Sequence, residues 1–333
     1  MVSASTYLDI ARAGVRVVAV GDRGHIIYSD NEGKSWQVAD VPTKALLTGV
    51  CFTDAKNGFA VGHDAVVLAT TDGGVSWSVK YSDVLGGDDD AGAEEDMDDI
   101  DYSDDIYSDD IYSDDLYSDD PYDAEEDYAA PDTSGAPFLD VLCAENGNII
   151  AVGGFGYFIQ STDGGETWKK RMSDLDNRDG WHLYGITQVP GSDTLLVAGE
   201  KGILFRSRDA GRTWTKLDSP YAGSLFGINA ISKEMLVTYG LQGNVFVSTN
   251  QGDSWRRVKS GVTRALNDSV TLNDGTVVLV GGSGVVLVSH DNMASVTLQY
   301  LPERDTVSSL VPLSSGDLLM AGESGVSTAT GIR

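Results

Sequence analysis

Six eight-residue turns resembling Ser-x-Asp-x-Gly-x-Thr-Trp, seven apolar runs that each end on glycine, and four short strand-like segments per unit predict an all-β chain. Together they specify a seven-bladed β-propeller of four-stranded antiparallel blades, with the eight-residue turn, an Asp box, between strands three and four. The run-ending glycines are Gly21, Gly62, Gly153, Gly199, Gly240, Gly281 and Gly322, spaced by 41, 91, 46, 41, 41 and 41 residues. The interval of 91 is one period plus an insertion, so the array is seven units with one interruption.

Within the fourth unit, the alternating residues 182–187 predict a first strand and the apolar run 194–198 a second. Gly199-Glu200-Lys201-Gly202 reads as a tight turn with residues that tolerate positive φ. Residues 203–207 predict the third strand, and 214–217, after the Asp box, the fourth.

The boxes lie at 29–36, 70–77, 161–168, 207–214, 248–255 and 289–296. Their central polar residues are Asn31, Asp72, Asp163, Asp209, Asn250 and Asp291, and five close on Trp36, Trp77, Trp168, Trp214 and Trp255. The sixth has Met293 for glycine and Val296 for tryptophan, a decaying copy. A carboxylate or amide accepting local N–H groups, small hydroxyls and a left-handed glycine fasten a hairpin, and the tryptophan adds buried surface. The box is therefore structural rather than a metal or ligand site.

With 333 residues, 41% of them hydrophobic, the chain has enough apolar content for one large domain spanning 1–333. The formal net charge of −28 is concentrated between Asp83 and Asp132, which hold 23 acids and no lysine or arginine, leaving 28 acids against 23 bases elsewhere. This insertion, at 83–135, contains the repeat Tyr-Ser-Asp-Asp from Tyr102 to Tyr122. Its period of five and its charge density predict disorder. A solvated loop is the first reading; weak Ca²⁺ binding by paired carboxylates and a tail for a basic partner are the others. The insertion falls in the connection between blades two and three.

No apolar run is long enough for a membrane-spanning helix, and the start of the sequence shows no secretory signal pattern. The array begins abruptly near Tyr7 and the last unit ends after its third strand, which suggests a leader and a closing strand upstream of Met1. Cys51 and Cys143 occupy equivalent first-strand positions in blades two and three. They read as two free buried thiols, since cysteine packs as a small apolar residue and bridge geometry is narrow.

The four histidines have no metal-ligand spacing, and no nucleophile elbow, phosphate loop or dinucleotide fingerprint is present. No catalytic residue, metal or cofactor is indicated. Acidity disfavours nucleic acid. Binding of a protein or an extended ligand is the function left, on the face shared by the blade-to-blade connections and the turns between strands two and three. Trp181, His182, Tyr184, Tyr221 and Phe226 place aromatics there, where such connections are ordinarily polar, and Arg23, His63, Glu200, Lys201, Tyr239 and Gln242 complete the candidate face. The enzymatic rival is a sialidase-like glycoside hydrolase, or a glycan-binding propeller. Sialidases resemble this chain in the boxes alone, because they need a triad of arginines, and the arginines here are scattered among the blades.

The stretches 19–25, 174–183, 196–202, 219–224 and 239–244, with the boxes, carry a more specific likeness. The chain resembles the Asp-box (BNR-repeat) propellers of the photosystem II stability and assembly factor-like family, most closely its non-photosynthetic proteobacterial branch. The resemblance covers 7–330 apart from the insertion. It implies a non-enzymatic, seven-bladed scaffold for a membrane protein complex, an RND-type transport system, working in the periplasm, with a cytoplasmic location as the alternative. The basic patch through which photosynthetic members engage their partner is not evident here.

Overall fold

The computed structural model of the chain describes residues 5–83 and 135–332. The Tyr-Ser-Asp-Asp repeat, and with it the expectations of disorder and of Ca²⁺ binding, lies outside the described residues. These form seven antiparallel sheets in chain order, six of four strands and the last of three. In the fourth blade the strands are Leu183–Gln188, Leu195–Gly199, Leu204–Ser207 and Thr215–Lys216, within a residue or so of the predicted limits.

Blade order follows from burial. Second strands such as Val277–Gly281 are buried at every position, because both faces of the sheet lie against neighbouring blades. A strand covered on two sides reads as a continuous apolar run rather than an alternation. The core accordingly consists of interblade layers: Phe59, Val61 and Val67 of blade two pack on Phe138, Ile149 and Ile159 of blade three. Tyr7 and Ile27 of blade one meet Leu319 and Ala321 of blade seven, which closes the ring.

Polar contacts reinforce that closing seam. The Arg12 guanidinium donates to the Pro312 carbonyl at 2.5 and 2.9 Å. The Glu32 carboxylate accepts from the Ser314 N–H and hydroxyl. Blade seven consists of three strands, Val307–Pro312, Leu318–Gly322 and Gly325–Ala329.

The boxes sit between strands three and four. In the third blade the Ser161 hydroxyl accepts the Gly165 N–H and donates to Asp163, whose carboxylate accepts the Thr167 N–H and hydroxyl. Asn31 and Asn250 make the equivalent bonds with an amide oxygen. The sixth copy is intact as a fastener, although its letters look decayed: Met293 donates its N–H to Ser289, and Asp291 takes both groups of Ser295. Met293, fully buried with φ of 60°, supplies the left-handed position and apolar surface together.

The cysteines depart from expectation. Cys51 and Cys143 form a disulfide with a Cα separation of 5.6 Å, across a sequence separation of 92. First strands of adjacent blades converge around the ring axis, and Cys51, fifth in Leu47–Phe52, faces Cys143, sixth in Phe138–Cys143, one step off the equivalent position expected, at a separation inside the window a disulfide requires. The bridge lies at the seam whose connector runs from Tyr81 to Phe138, whereas the connector between blades four and five runs only from Lys216 to Leu225. The described ends of the long connector also meet, through the Gly135 N–H and the Asp83 carbonyl. Asp83 itself is held by Lys170 and Tyr157.

Removing the bridge by Cys51→Ala with Cys143→Ala is expected to lower unfolding free energy by about 2–4 kcal/mol. Urea denaturation of the variant, and of the parent with and without reductant, checks this. Gly281→Ala, whose new Cβ would lie 2.0 Å from the Ala265 carbonyl oxygen, is expected to cost more than about 2 kcal/mol in the same assay.

Candidate partner-binding face

The face is organised by one contact repeated in every blade. The residue after each run-ending glycine donates its N–H to the carbonyl just before the first strand: Asp22 to Thr6, His63 to Leu46, Gly154 to Pro137, Glu200 to His182, Leu241 to Ser224, Gly282 to Ala265 and Glu323 to Thr306. The turns between strands two and three are thereby pinned to the blade-to-blade connections. A Cβ on these glycines would come within 2.0–2.4 Å of that carbonyl oxygen. Their backbone is extended, so they are glycine for space and not for φ. Positive φ falls later in the turn, at Arg23, Phe155, Lys201, Gln242 and Ser283.

The Asp boxes occupy the other face with the hairpins between strands one and two, as the N–H of Gly73 to Lys56 O and of Ala210 to Asp193 O show. There four arginines each reach the box of the next blade: Arg16 to the carbonyls of Asp72 and Gly73, Arg171 to Gly211 and Arg212, Arg206 to Gln251 and the Asp253 carboxylate, and Arg256 to Met293. They belong to four different seams and do not converge.

On the turn and connection face, blades three to five carry a continuous line of rings. Phe155, missed in the sequence, is 51% exposed at the tip of its turn and holds φ of 55°. Arg23, Lys201, Gln242 and Ser283 hold the same left-handed slot in their blades, so the conformation belongs to the turn; what sets Phe155 apart is the aromatic ring it exposes there. His182 Nδ1 accepts the Phe155 N–H at 2.8 Å, which ties this turn tip to the connection entering blade four. From Phe155 the ring centroids step 5.1 Å to His182, 6.1 Å to Tyr184 and 5.2 Å to Phe226. Beside this ladder the Lys201 ammonium lies 5.4 Å from the Trp181 ring. Glu200 accepts the His182 N–H, with its carboxylate 3.9 Å from His182 Nε2.

The remaining predicted residues are placed differently. Arg23, His63 and Gln242 are exposed on the same face, but on blades one, two and five. Arg23 has only a 3.6 Å ion pair with Asp22. Tyr221 is half-buried and stacks on Phe246 at 6.1 Å, filling the gap between blades four and five. Tyr239 is 3% exposed and not on the turn. It lies on the second strand, where its ring covers Gly227 and its hydroxyl reaches Asp268 and Ser269 at the ring axis.

The ladder ends at the mouth of a central cavity of about 330 Å³. In all seven blades the pairing of strands one and two skips one residue: Leu8, Thr48, Leu139, Tyr184, Phe226, Asn267 or Ser308. Such a bulge re-aims side chains, and here each skipped residue and, except for Gly49 after Thr48, its successor line the cavity. The first set rims the mouth; below it come Asp9, Gly49, Asp140, Gly185, Gly227, Asp268 and Ser309. The three carboxyl groups tie blades together. Asp9 accepts the N–H of Val50, Asp140 that of Ile186, and Asp268 that of Leu310, while the Ser309 hydroxyl contacts both Asp9 and Asp268.

Burial raises all three acids against the N–H groups they accept and, at Asp9 and Asp268, the Ser309 hydroxyl; repulsion from Asp9 adds to the rise at Asp140 and Asp268. Asp140 is pushed up to about 8 and Asp268 to about 7. Among the described residues no lysine, arginine or histidine lines the cavity. On the opposite face the Ser295 hydroxyl, then its N–H, hold Asp291 down at about 2.

A family model described as photosynthesis system II assembly factor YCF48 matches residues 6–105 and 128–291. The photosystem II assembly lipoprotein Ycf48 of Synechococcus sp. strain CC9902 is 28% identical over 190 residues, covering 57% of this chain and 42% of that protein. The photosystem II assembly protein Ycf48 of Synechococcus sp. strain JA-3-3Ab is 31% identical over 183 residues, 54% of this chain and 52% of that protein. The chain thus spans about half or less of the length of the curated relatives it matches. Among solved structures, YCF48 bound to D1 peptide superposes with a TM-score of 0.66 at 15% identity, covering 98% of this chain and 93% of that one. That likeness shows the fold.

The two sets of carboxyl groups give opposite pH dependences. Asp140 and Asp268 bind protons in the folded state that the unfolded chain has released, so their contribution is complete below about pH 4 and is lost as pH rises through their raised values. The Asp291 contribution is present above about pH 4 and is lost as pH falls toward its lowered value. Asp140→Asn is expected to flatten the decline in unfolding free energy between about pH 5 and about pH 9, measured by urea denaturation.

Proposed function

Because the chain belongs to the photosynthesis system II assembly factor YCF48 family, we propose that it is a non-enzymatic protein-binding propeller, a scaffold in the assembly or working of a membrane protein complex. The observation that carries this reading is the aromatic ladder of Phe155, His182, Tyr184 and Phe226. Its outermost ring is exposed, and the turn that carries it is tied to the next blade's connection by the Phe155 N–H donated to His182. Exposed, pre-positioned aromatics are what protein interfaces use as anchors. Trp181 with Lys201 flanks the ladder, and Arg23, His63 and Gln242 extend the same face around the ring.

The partner class is a membrane protein, consistent with the relatives named as photosystem II assembly proteins and with the solved YCF48 bound to a D1 peptide. We further read the chain as one of the proteobacterial branch, a reading under which the partner is an RND-type transport system. The Cys51–Cys143 bridge supports a periplasmic location, since disulfides form and persist in oxidising compartments.

Affinity capture from detergent-solubilised membranes, quantified by mass spectrometry, tests the reading. Wild-type protein is expected to recover an envelope complex, and Phe155→Ala to lower its retention by about tenfold or more, as hot-spot truncation does. Equal recovery by wild type and by a Phe155→Ala, Trp181→Ala double variant would remove this face from the interaction.

A further inference from the structure

Resting on that reading, we propose that the ladder and the cavity at its end form one receptor, for an extended segment of the partner that lays an aromatic side chain on the ladder and inserts a basic side chain into the cavity. Two independent features of the site ask for such an occupant. The first is spacing. Side chains on one side of an extended peptide recur every ~7 Å. The ladder offers rings at steps of 5.1, 6.1 and 5.2 Å and ends with Tyr184 and Phe226 in the cavity rim. An aromatic residue over Phe155, His182 and Tyr184 therefore leaves the second residue after it at the mouth.

The second feature is charge. The ionisable groups lining the cavity are the carboxyl groups of Asp9 on blade one, Asp140 on blade three and Asp268 on blade six, with the phenols of Tyr184 and Tyr239. They come from five blades, and no basic side chain among the described residues balances them. At the rim Tyr184 and Phe226 present rings that favour a cation passing over their faces. A lysine or arginine has a stem long enough to lay its apolar part against those rings and carry its charge to the carboxyl level. Glu200 and Lys201 lie at the outer side of the ladder beside His182 and Trp181, away from the cavity. A cation reaching the acids also lowers their proton affinity, so binding releases protons.

The test uses the whole protein and a blocked nine-residue peptide with one phenylalanine two positions before a single arginine, titrated by calorimetry. Versions with glutamate or norleucine for the arginine are the comparators. The arginine peptide is expected to bind about tenfold tighter than either comparator, and to release protons at neutral pH when buffers of different ionisation heat are compared. Asp140→Asn and Asp268→Asn, each checked for a native circular dichroism spectrum, are expected to erase the preference for arginine; Phe155→Ala is expected to weaken all three peptides alike. Equal affinity of the arginine and glutamate peptides for the unmodified protein overturns the proposal without any variant having to fold. So does a preference for arginine that survives both substitutions. If membrane capture still depends on Phe155 when the peptides show no preference, the docking face stands and only the basic insertion falls.

Discussion

Everything on the candidate partner-binding face depends on a bare glycine Cα pressed against a carbonyl oxygen. At each run-ending glycine, the chain must pass so close to the start of strand one that no side chain fits, and the next N–H is captured by that carbonyl. The contact sets the height of each turn above the ring and the point at which strand one begins. From there the bulge follows one residue into the strand in every blade, and with it the rings of side chains around the axis. A propeller blade has little freedom once its innermost strand and its top turn are locked together. The variation left to evolution is what the turn tip and the first three strand residues carry.

This constraint explains which parts of the molecule were legible. Gly21, Gly62, Gly153, Gly199, Gly240, Gly281 and Gly322 are visible as a period because the same steric demand recurs seven times. The Asp boxes are visible because their hydrogen bonds need a polar residue between small hydroxyls. Asn31 and Asn250 read correctly since an amide oxygen does the same work as a carboxylate. The disulfide was not legible: the spacing of two cysteines along the chain says nothing of how two first strands converge in space.

The site was half legible for the same reason. His182, Tyr184 and Phe226 stand out as aromatics near connections, and the structure brings them into one line. Tyr239 misled because it is adjacent to a turn glycine yet still within strand two, where its side chain turns inward over Gly227. Phe155 escaped because its signal is a single letter. Set beside Arg23, Lys201, Gln242 and Ser283, which hold the same left-handed slot in their blades, it is the aromatic among polar residues. Asp9, Asp140 and Asp268 likewise emerge only when the third residues of the first strands are compared blade by blade.

The disulfide changes the topology of the molecule as well as its stability. Blades two and three are joined by the backbone through Asp83 and Gly135, and independently by Cys51 and Cys143. The polypeptide is thus a closed loop at the one place where its repeat is interrupted. A backbone break anywhere between those two residues would leave a single covalent molecule, with its seven sheets still linked in the same order. The interruption can therefore lengthen, shorten or be cut without the ring losing its connectivity.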